Sequence, residues 1–503
     1  MEENRTNNVK KNVFYSYTTT LTTSIISIVC RTVFVYTLGA DYLGVSGLFS
    51  NVLGLLSFSE LGIGTAINFS LYKPIAENDE EKIKSLLHLY KTAYRIIAVI
   101  VAITGLLIFP FLKYIVNTDI PMSEINIFYF IFLFNTVSSY FVTYKTAYVS
   151  ALQKEYIVTN TTAIGTVVTN ICQIILLFLG GNYLIFLLTA SIIGLLQKTI
   201  AVVYLNKKYP ILTEKQSLPL DAQTKSGIWR NVKALIIHKV GEVAVHQTDN
   251  IIISSFVSTV AVGIISNYTI LNTFVSCFTN GFFNSFTAGL GNMIAKESKD
   301  KQWHIFKVYD LLGFWIFGFV MIAFITLSQP FITLWLGKKL LVDDFTMVLY
   351  FFSLYLQGMT IIPNNFKVAA GRFNEDKWVA FTQALTNLVA SIIAVKLIGL
   401  PGVYVGTIIQ RMIVVAVRPH IVFKYVLEKR SIEYYVRFVM RTLLALALCL
   451  VLWEIKKLIL VEVTLLRFLV MCVLTFLIPN IAFLTVFGRS ESFKDILARL
   501  KRR

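Results

Sequence analysis

The chain has 503 residues, 56% of them hydrophobic, and a mean hydropathy of +0.69. That excludes an ordinary soluble domain, because the apolar residues come in runs of about twenty, the length that crosses ~30 Å of hydrocarbon. The net charge of +18 invites a nucleic-acid reading, which the placement of the charges excludes.

With the N-terminus set in the cytoplasm, only Lys113, Lys338, Lys339, Lys396, Lys456 and Lys457 fall on the far side. Five further cations (Arg31, Lys198, Lys239, Arg411 and Arg467) lie inside expected spans, and all the others face the cytoplasm. This asymmetry is the positive-inside rule, so the charge reports orientation, with both termini inside. The opening MEENRTNNVKKN is polar and runs into a span too long for a signal h-region, so no cleavable leader is expected.

The expected spans are 13–38, 43–72, 93–112, 125–149, 157–179, 183–205, 231–256, 261–291, 306–328, 345–366, 379–398, 402–424, 438–455 and 464–488. The fold class is therefore all-α and integral to the membrane, with about fourteen transmembrane helices. All five cysteines (Cys30, Cys172, Cys277, Cys449, Cys472) fall within spans, so neither disulfides nor a metal site is expected.

In the first span Tyr17, Thr20, Ser24, Ser27 and Arg31 recur at spacings of three and four, which is one helix face. A charge at bilayer depth costs roughly 2.5–3.5 kcal/mol on insertion scales, so it faces a wet cavity or a partner. Arg31 is therefore expected in a hydrated cavity, with Ser24 and Ser27 lining it. The hydroxyls fit packing between helices equally well. Glu60 follows in the second span, within SELGIGTAINFSLYKP, where Gly62 and Gly64 allow close helix contact or a local break. Two readings of Glu60 stand: an ion-coupling carboxylate, or a salt-bridge partner that locks two helices.

External connections are short, as at Gly39–Tyr42, Gly180–Asn182 and Gly399–Gly402. The polar stretch 206–230, with Pro210 and Pro219, reads as a cytoplasmic linker. It separates a six-helix lobe over 1–205 from a second over 231–428, leaving 429–503 as two additional helices and a basic tail. A shift of 219 residues aligns Gly44 with Gly263, Gly62 with Gly281 and Ala151 with Ala370. This favours a 6+6 parallel repeat, an arrangement used by secondary transporters.

The seventh span places Lys239, Glu242, His246 and Asp249 at intervals of three, four and three, a ladder of charge on one face. Embedded acids with a histidine suit carriers coupled to protons or sodium, so Glu60, Glu242, His246 and Asp249 are the coupling candidates. Pairing of Lys239 with Glu242 near a boundary is the structural alternative. The eighth span carries Asn267, Asn272, Ser276, Asn280 and Asn284. Of these, Asn272, Ser276 and Asn280 are candidate cavity lining, since an amide both donates to and accepts from sugar hydroxyls. Hydrogen bonding between helices explains the same stripe. Arg411, beside Gln410 near mid-depth, joins Arg31 and Lys239 as a candidate anion-binding cation, whereas Lys198 and Arg467 lie close enough to a boundary to snorkel. There is no Walker-type loop and no external loop bearing paired acids, so an enzyme is not expected, nor any cofactor beyond a coupling H+ or Na+.

The fourteen spans, the repeat with two extra helices, and the segments SFSELGIGTAINFSLYKPIAENDEEKIK and NVKALIIHKVGEVAVHQTDNIIISSFVSTVAVGIISNY resemble the polysaccharide transporter branch of the MOP superfamily, the Wzx-type oligosaccharide flippases. The resemblance implies a two-lobed bundle around a cationic cavity in a bacterial cytoplasmic membrane. It implies movement of an undecaprenyl-diphosphate-linked oligosaccharide to the outer leaflet, with Arg31 and Lys239 facing the cavity. The partners it implies are the lipid-linked oligosaccharide, the bilayer and polysaccharide assembly proteins. An ion-coupled multidrug exporter of the same superfamily and a membrane scaffold in polysaccharide assembly are the other readings.

Overall fold

Inside hydrocarbon a backbone amide finds no water, so each segment must satisfy its own hydrogen bonds, and the sequence answers as helix. The computed structural model describes residues 2–501 apart from 57–59, 61, 215–218, 286, 373 and 377. Side chains are described for these except 2–10, 13, 223, 231, 234–246, 277, 278, 280, 281, 284, 285, 287, 288, 374 and 499–501. Among the described residues there is no strand.

By packing, the chain groups into two units, residues 1–263 and 264–503. The first contains α1 (Glu2–Leu38), α2 (Ala40–Leu56), α3 (Ile63–Glu77), α4 (Glu80–Ile108), the single turn α5 (Leu112–Ile115), α6 (Met122–Ala151), α7 (Glu155–Phe178), α8 (Tyr183–Lys208) and α9 (Ala222–Phe256). It closes in the first turns of α10 (Thr259–Ser285). The second continues through α11 (Thr287–Lys296), α12 (Lys299–Leu336), α13 (Asp344–Met359), α14 (Ile361–Ala369), α15 (Val379–Ile398), α16 (Leu400–Val422), α17 (Ile432–Ile459), α18 (Leu465–Phe487) and α19 (Glu491–Lys501). The sequence placed the division at 206–230. The grouping falls at 263 because α9 packs on α2, α3 and α5.

Among the described residues, twelve spans are long and apolar enough to cross a membrane. Two of the fourteen expected spans differ from that description. The run 43–72 is divided at Gly62, which is left-handed at φ +75°, into α2 and α3. The run 231–256 is helical throughout within α9, and the side chains of 234–246 lie outside the described residues. The short connections are as tight as expected. Gly39 (φ +86°) and Gly399 (φ +69°) are each the whole link between two helices, a conformation glycine adopts without penalty. Five helix starts among the described residues are capped by Asn, Asp or Thr side chains of the loops. Asn182 accepts from the Ile185 amide at 3.0 Å and Asp343 from Thr346 at 2.8 Å. Asp221 does the same for α9, and its bonds from Thr224 hold its carboxyl below the usual range.

Small residues set how closely the helices approach. In the first unit a Cβ on Gly44 would collide with the Thr259 carbonyl, and one on Gly263 would collide with that of Ala40. The pair matched by the 219-residue shift thus lies at one backbone crossing. In the second unit Gly402 and Gly406 seat α16 against Ala394 and Ser391 of α15. Polar cross-links reinforce this packing, among them Asn135 to Ser191 at 2.8 Å and Trp315 to Asn480 at 2.9 Å. Lys198 donates to Ser138 at 2.9 Å, so it is tied to α6.

The second unit also buries an ion pair: Arg441 of α17 reaches Asp310 of α12 at 2.6 Å, with the two side chains 9% and 2% exposed. Removing one partner strands a charge, at a cost of about 3–5 kcal/mol. Arg441→Met is expected to lower the melting temperature of the detergent-purified protein sharply, and adding Asp310→Leu should restore most of it. Additive losses in that double-mutant cycle would show that the pair is not coupled. Gly44→Val should abolish accumulation of folded protein in membranes, because its obstacle is backbone and cannot rotate away.

Candidate functional site

In the first unit α1 packs on α7, and Ser27 of the stripe touches it. Asn170 donates to Ser27 at 3.0 Å, and one turn on Cys30 lies 3.7 Å from Gln173. Ser27 therefore bonds across the helix interface while remaining exposed. Ser24 and Arg31 are half-buried on the same helix, and Arg31 follows Ser27 by four residues, one turn further.

Glu60 sits at the break between α2 and α3 and accepts the hydroxyl of Tyr94. Tyr94 is buried between Tyr90 and Tyr140, with ring centroids 4.9 and 5.9 Å away. The glycine at 64 is required here. A Cβ would clash with the Tyr94 hydroxyl and lie 2.9 Å from Glu60 Oε1 and 3.0 Å from Tyr90 Oη. Three polar atoms thus converge where a side chain is missing, and a carboxylate faces a chain of buried hydroxyls. On α9, Asp249 is half-buried, and neighbouring Gln247 packs against Gly54 of α2. The side chains of Lys239, Glu242 and His246 lie outside the described residues, as does that of Asn280 on α10.

The second unit holds a cavity of about 210 Å³ between α10, α12, α13 and α14. Asn272 and Ser276 line it, as the amide stripe suggested, together with Gln357, Thr360 and Asn364. Ser276 also donates to Asn272 at 3.2 Å. The cation in its wall is Arg418, which sequence reasoning passed over. Arg411, two turns earlier on α16, instead donates to the carbonyl of Ser353 on α13 and lies 3.3 Å from that residue's hydroxyl. The seven-residue spacing placed Arg418 on the face of Arg411, and that was the available signal.

Arg418 Nε lies 3.4 Å from Asp376 Oδ2, and Asp376 is also paired with Lys367 of α14. Lys367 and Asp376 are almost wholly buried, with side chains 4% and 3% exposed. Two cations on one carboxylate leave one positive charge beside a cavity whose lining mixes these amides and hydroxyls with apolar side chains such as Phe317 and Phe351. Such a wall can hold an anion at one end and hydrogen-bond a polyol along its length. A test of the tyrosine cluster lies in Gly64→Val. It should lower stability by about 1–3 kcal/mol by overpacking Tyr94, whereas Gly194→Ala, with nothing within 4 Å, should leave the melting temperature unchanged or raised.

The fold is found in solved MOP-type transporters. The chain matches lipid II flippase MurJ in an inward closed conformation with a TM-score of 0.65 at 16% identity, covering 95% of this chain and 100% of that one. It matches an inward-facing multidrug resistance MATE family transporter of the MOP superfamily at 0.59 and 13%, over 85% and 95%. The MATE multidrug transporter DinF-BH matches at 0.57 and 15%, over 81% and 93%. At these identities the likeness is one of fold. No protein with a curated description matches the chain. The family model described as polysaccharide biosynthesis protein matches residues 9–287, more than half of the sequence, and the chain belongs to that family.

Proposed function

We propose that the chain is a flippase that moves an undecaprenyl-diphosphate-linked oligosaccharide repeat unit across a bacterial cytoplasmic membrane. The observation that carries this reading is the cavity walled by Asn272, Ser276 and Arg418 in a chain of the polysaccharide biosynthesis family with the MOP transporter fold. A fixed guanidinium in a low-dielectric wall replaces part of the hydration that a diphosphate loses, and amides exchange hydrogen bonds with sugar hydroxyls. Arg31, Lys239 and Arg411 are the further cations assigned to the substrate path. Transport proceeds by alternating access of two six-helix lobes, 1–205 and 231–428, with both chain termini cytoplasmic. Coupling to a proton or sodium gradient is assigned to Glu60 and its tyrosines, with Glu242, His246 and Asp249 as the other carriers of charge.

The multidrug reading draws support from the MATE-like fold. A cationic drug, however, would meet Arg418 in the cavity wall with like charge.

The test is transfer of a labelled undecaprenyl-diphosphate oligosaccharide in proteoliposomes, with Arg31→Ala and Arg418→Ala beside the wild type. A charge-assisted hydrogen bond contributes about 1.5–3 kcal/mol, so each variant should slow transfer roughly tenfold to a hundredfold at unchanged protein content. Transfer at the wild-type rate in both would remove the anion site. Efflux of cationic dyes without glycan transfer would favour the exporter.

A further inference from the structure

The second unit contains a larger cavity, of about 570 Å³, between α12, α17, the end of α18 and the start of α19. We propose that it holds the headgroup of an anionic membrane phospholipid, with one acyl chain lying along the helices beside it. The inference rests on this cavity alone and stands apart from the substrate assigned above.

The wall carries three cations, Lys307, Arg437 and Arg441, and one carboxylate, Glu491, which makes no ion pair among the described residues. Lys307 Nζ and Arg437 Cζ both lie over the ring of Trp303, at 5.5 and 4.6 Å from its centroid. One indole attracts both cations, but they repel each other in a half-buried place where water screens them poorly. Arg441, also in the wall, is already matched by Asp310. Arg437 has Glu433 at 3.3 Å, an exposed partner on its own helix. The Nε and Nη2 of Arg437 are buried with no acceptor among the described residues. Lys307 makes no ion pair among the described residues. What the cavity lacks is an acceptor-rich anion between these cations, and a phosphodiester supplies one.

The shape selects a lipid over a soluble anion. Lys307 lies in the third turn of α12 and Arg437 in the second turn of α17, toward the starts of both helices, where headgroups sit. The cavity then runs on past Met440 and Val486, which are 65% and 56% exposed. A bound phosphate ion would have no use for that apolar side, whereas an acyl chain would cover it. The start of the amphipathic α19 forms part of the wall, and the helix is held to α12 by the stacking of Phe493 on Trp315 at 5.3 Å and by His304 with Asp495 at 3.4 Å. A helix of this kind lies in the interfacial plane of a bilayer.

The experiment uses the full chain purified in mild detergent and titrated with phosphatidylglycerol or phosphatidylcholine. Bound lipid is read by native mass spectrometry and the melting temperature is followed in parallel. Phosphatidylglycerol should bind at least tenfold tighter than phosphatidylcholine to the wild type and to Lys338→Gln/Lys339→Gln, which removes two exposed charges elsewhere. Lys307→Gln/Arg437→Gln should lose the preference. Met440→Trp, which narrows the apolar arm and keeps both charges, should weaken phosphatidylglycerol at least tenfold and carries the test if the double variant fails to fold. Equal binding of the two lipids by the wild type, or a preference kept in the double variant, would overturn the site. Glycerol phosphate binding as tightly as the whole lipid would overturn the lipid assignment.

Discussion

Hydrocarbon supplies no hydrogen-bonding partner, and that constraint shapes the chain more than any single contact. It makes every span a helix, and it makes every interruption of a helix something that must be covered by protein. The break at Gly62 is covered: Tyr90, Tyr94 and Tyr140 close over it, and the carboxylate of Glu60 turns inward to meet a hydroxyl. Where backbones approach one another instead, glycine takes the contact, as at Gly44 with Gly263 and at Gly402 and Gly406 against α15. Polar chemistry is thereby gathered at breaks and crossings, and the rest of the helix surface is left to lipid.

The same constraint governs charge. Buried cations in the second unit occur beside carboxylates, Arg441 with Asp310 and Lys367 and Arg418 with Asp376. Pairs of this kind add little net stability, because desolvation offsets attraction, but they fix which helix faces which. The triad differs from the simple pair in its stoichiometry, since one positive charge is left over beside the cavity. The site is thus positioned by a neutral part and made attractive to anions by the surplus.

Much of this was legible in the sequence. Runs of about twenty apolar residues locate helices because length and composition are local properties. The turn glycines at 39, 180 and 399 were legible for the same reason, and the 219-residue shift that matches Gly44 to Gly263 also matches Gly180 to Gly399, both left-handed. The break inside 43–72 was only half legible, because a hydropathy average runs smoothly over one left-handed glycine. That α9 packs with α2 and α3 was not legible, since nothing local encodes which distant helix accepts a charged face. Arg411 drew attention by sitting at mid-depth, yet its partner is a backbone carbonyl of α13. Arg418, nearer the end of its span, looked ordinary because its importance depends on Asp376, forty-two positions away.

The turns at Gly39 and Gly399 also bear on how this chain can change over time. Each joins two helices through one residue whose φ no side chain adopts comfortably. A single inserted residue there would rotate the following helix by about 100° and turn its lipid face toward protein. Length variation is therefore barred from those connections and directed to the stretch between α8 and α9, where thirteen residues separate the helices. New binding specificity must then arise by substitution within the helices, because these turns leave no room for a recognition loop.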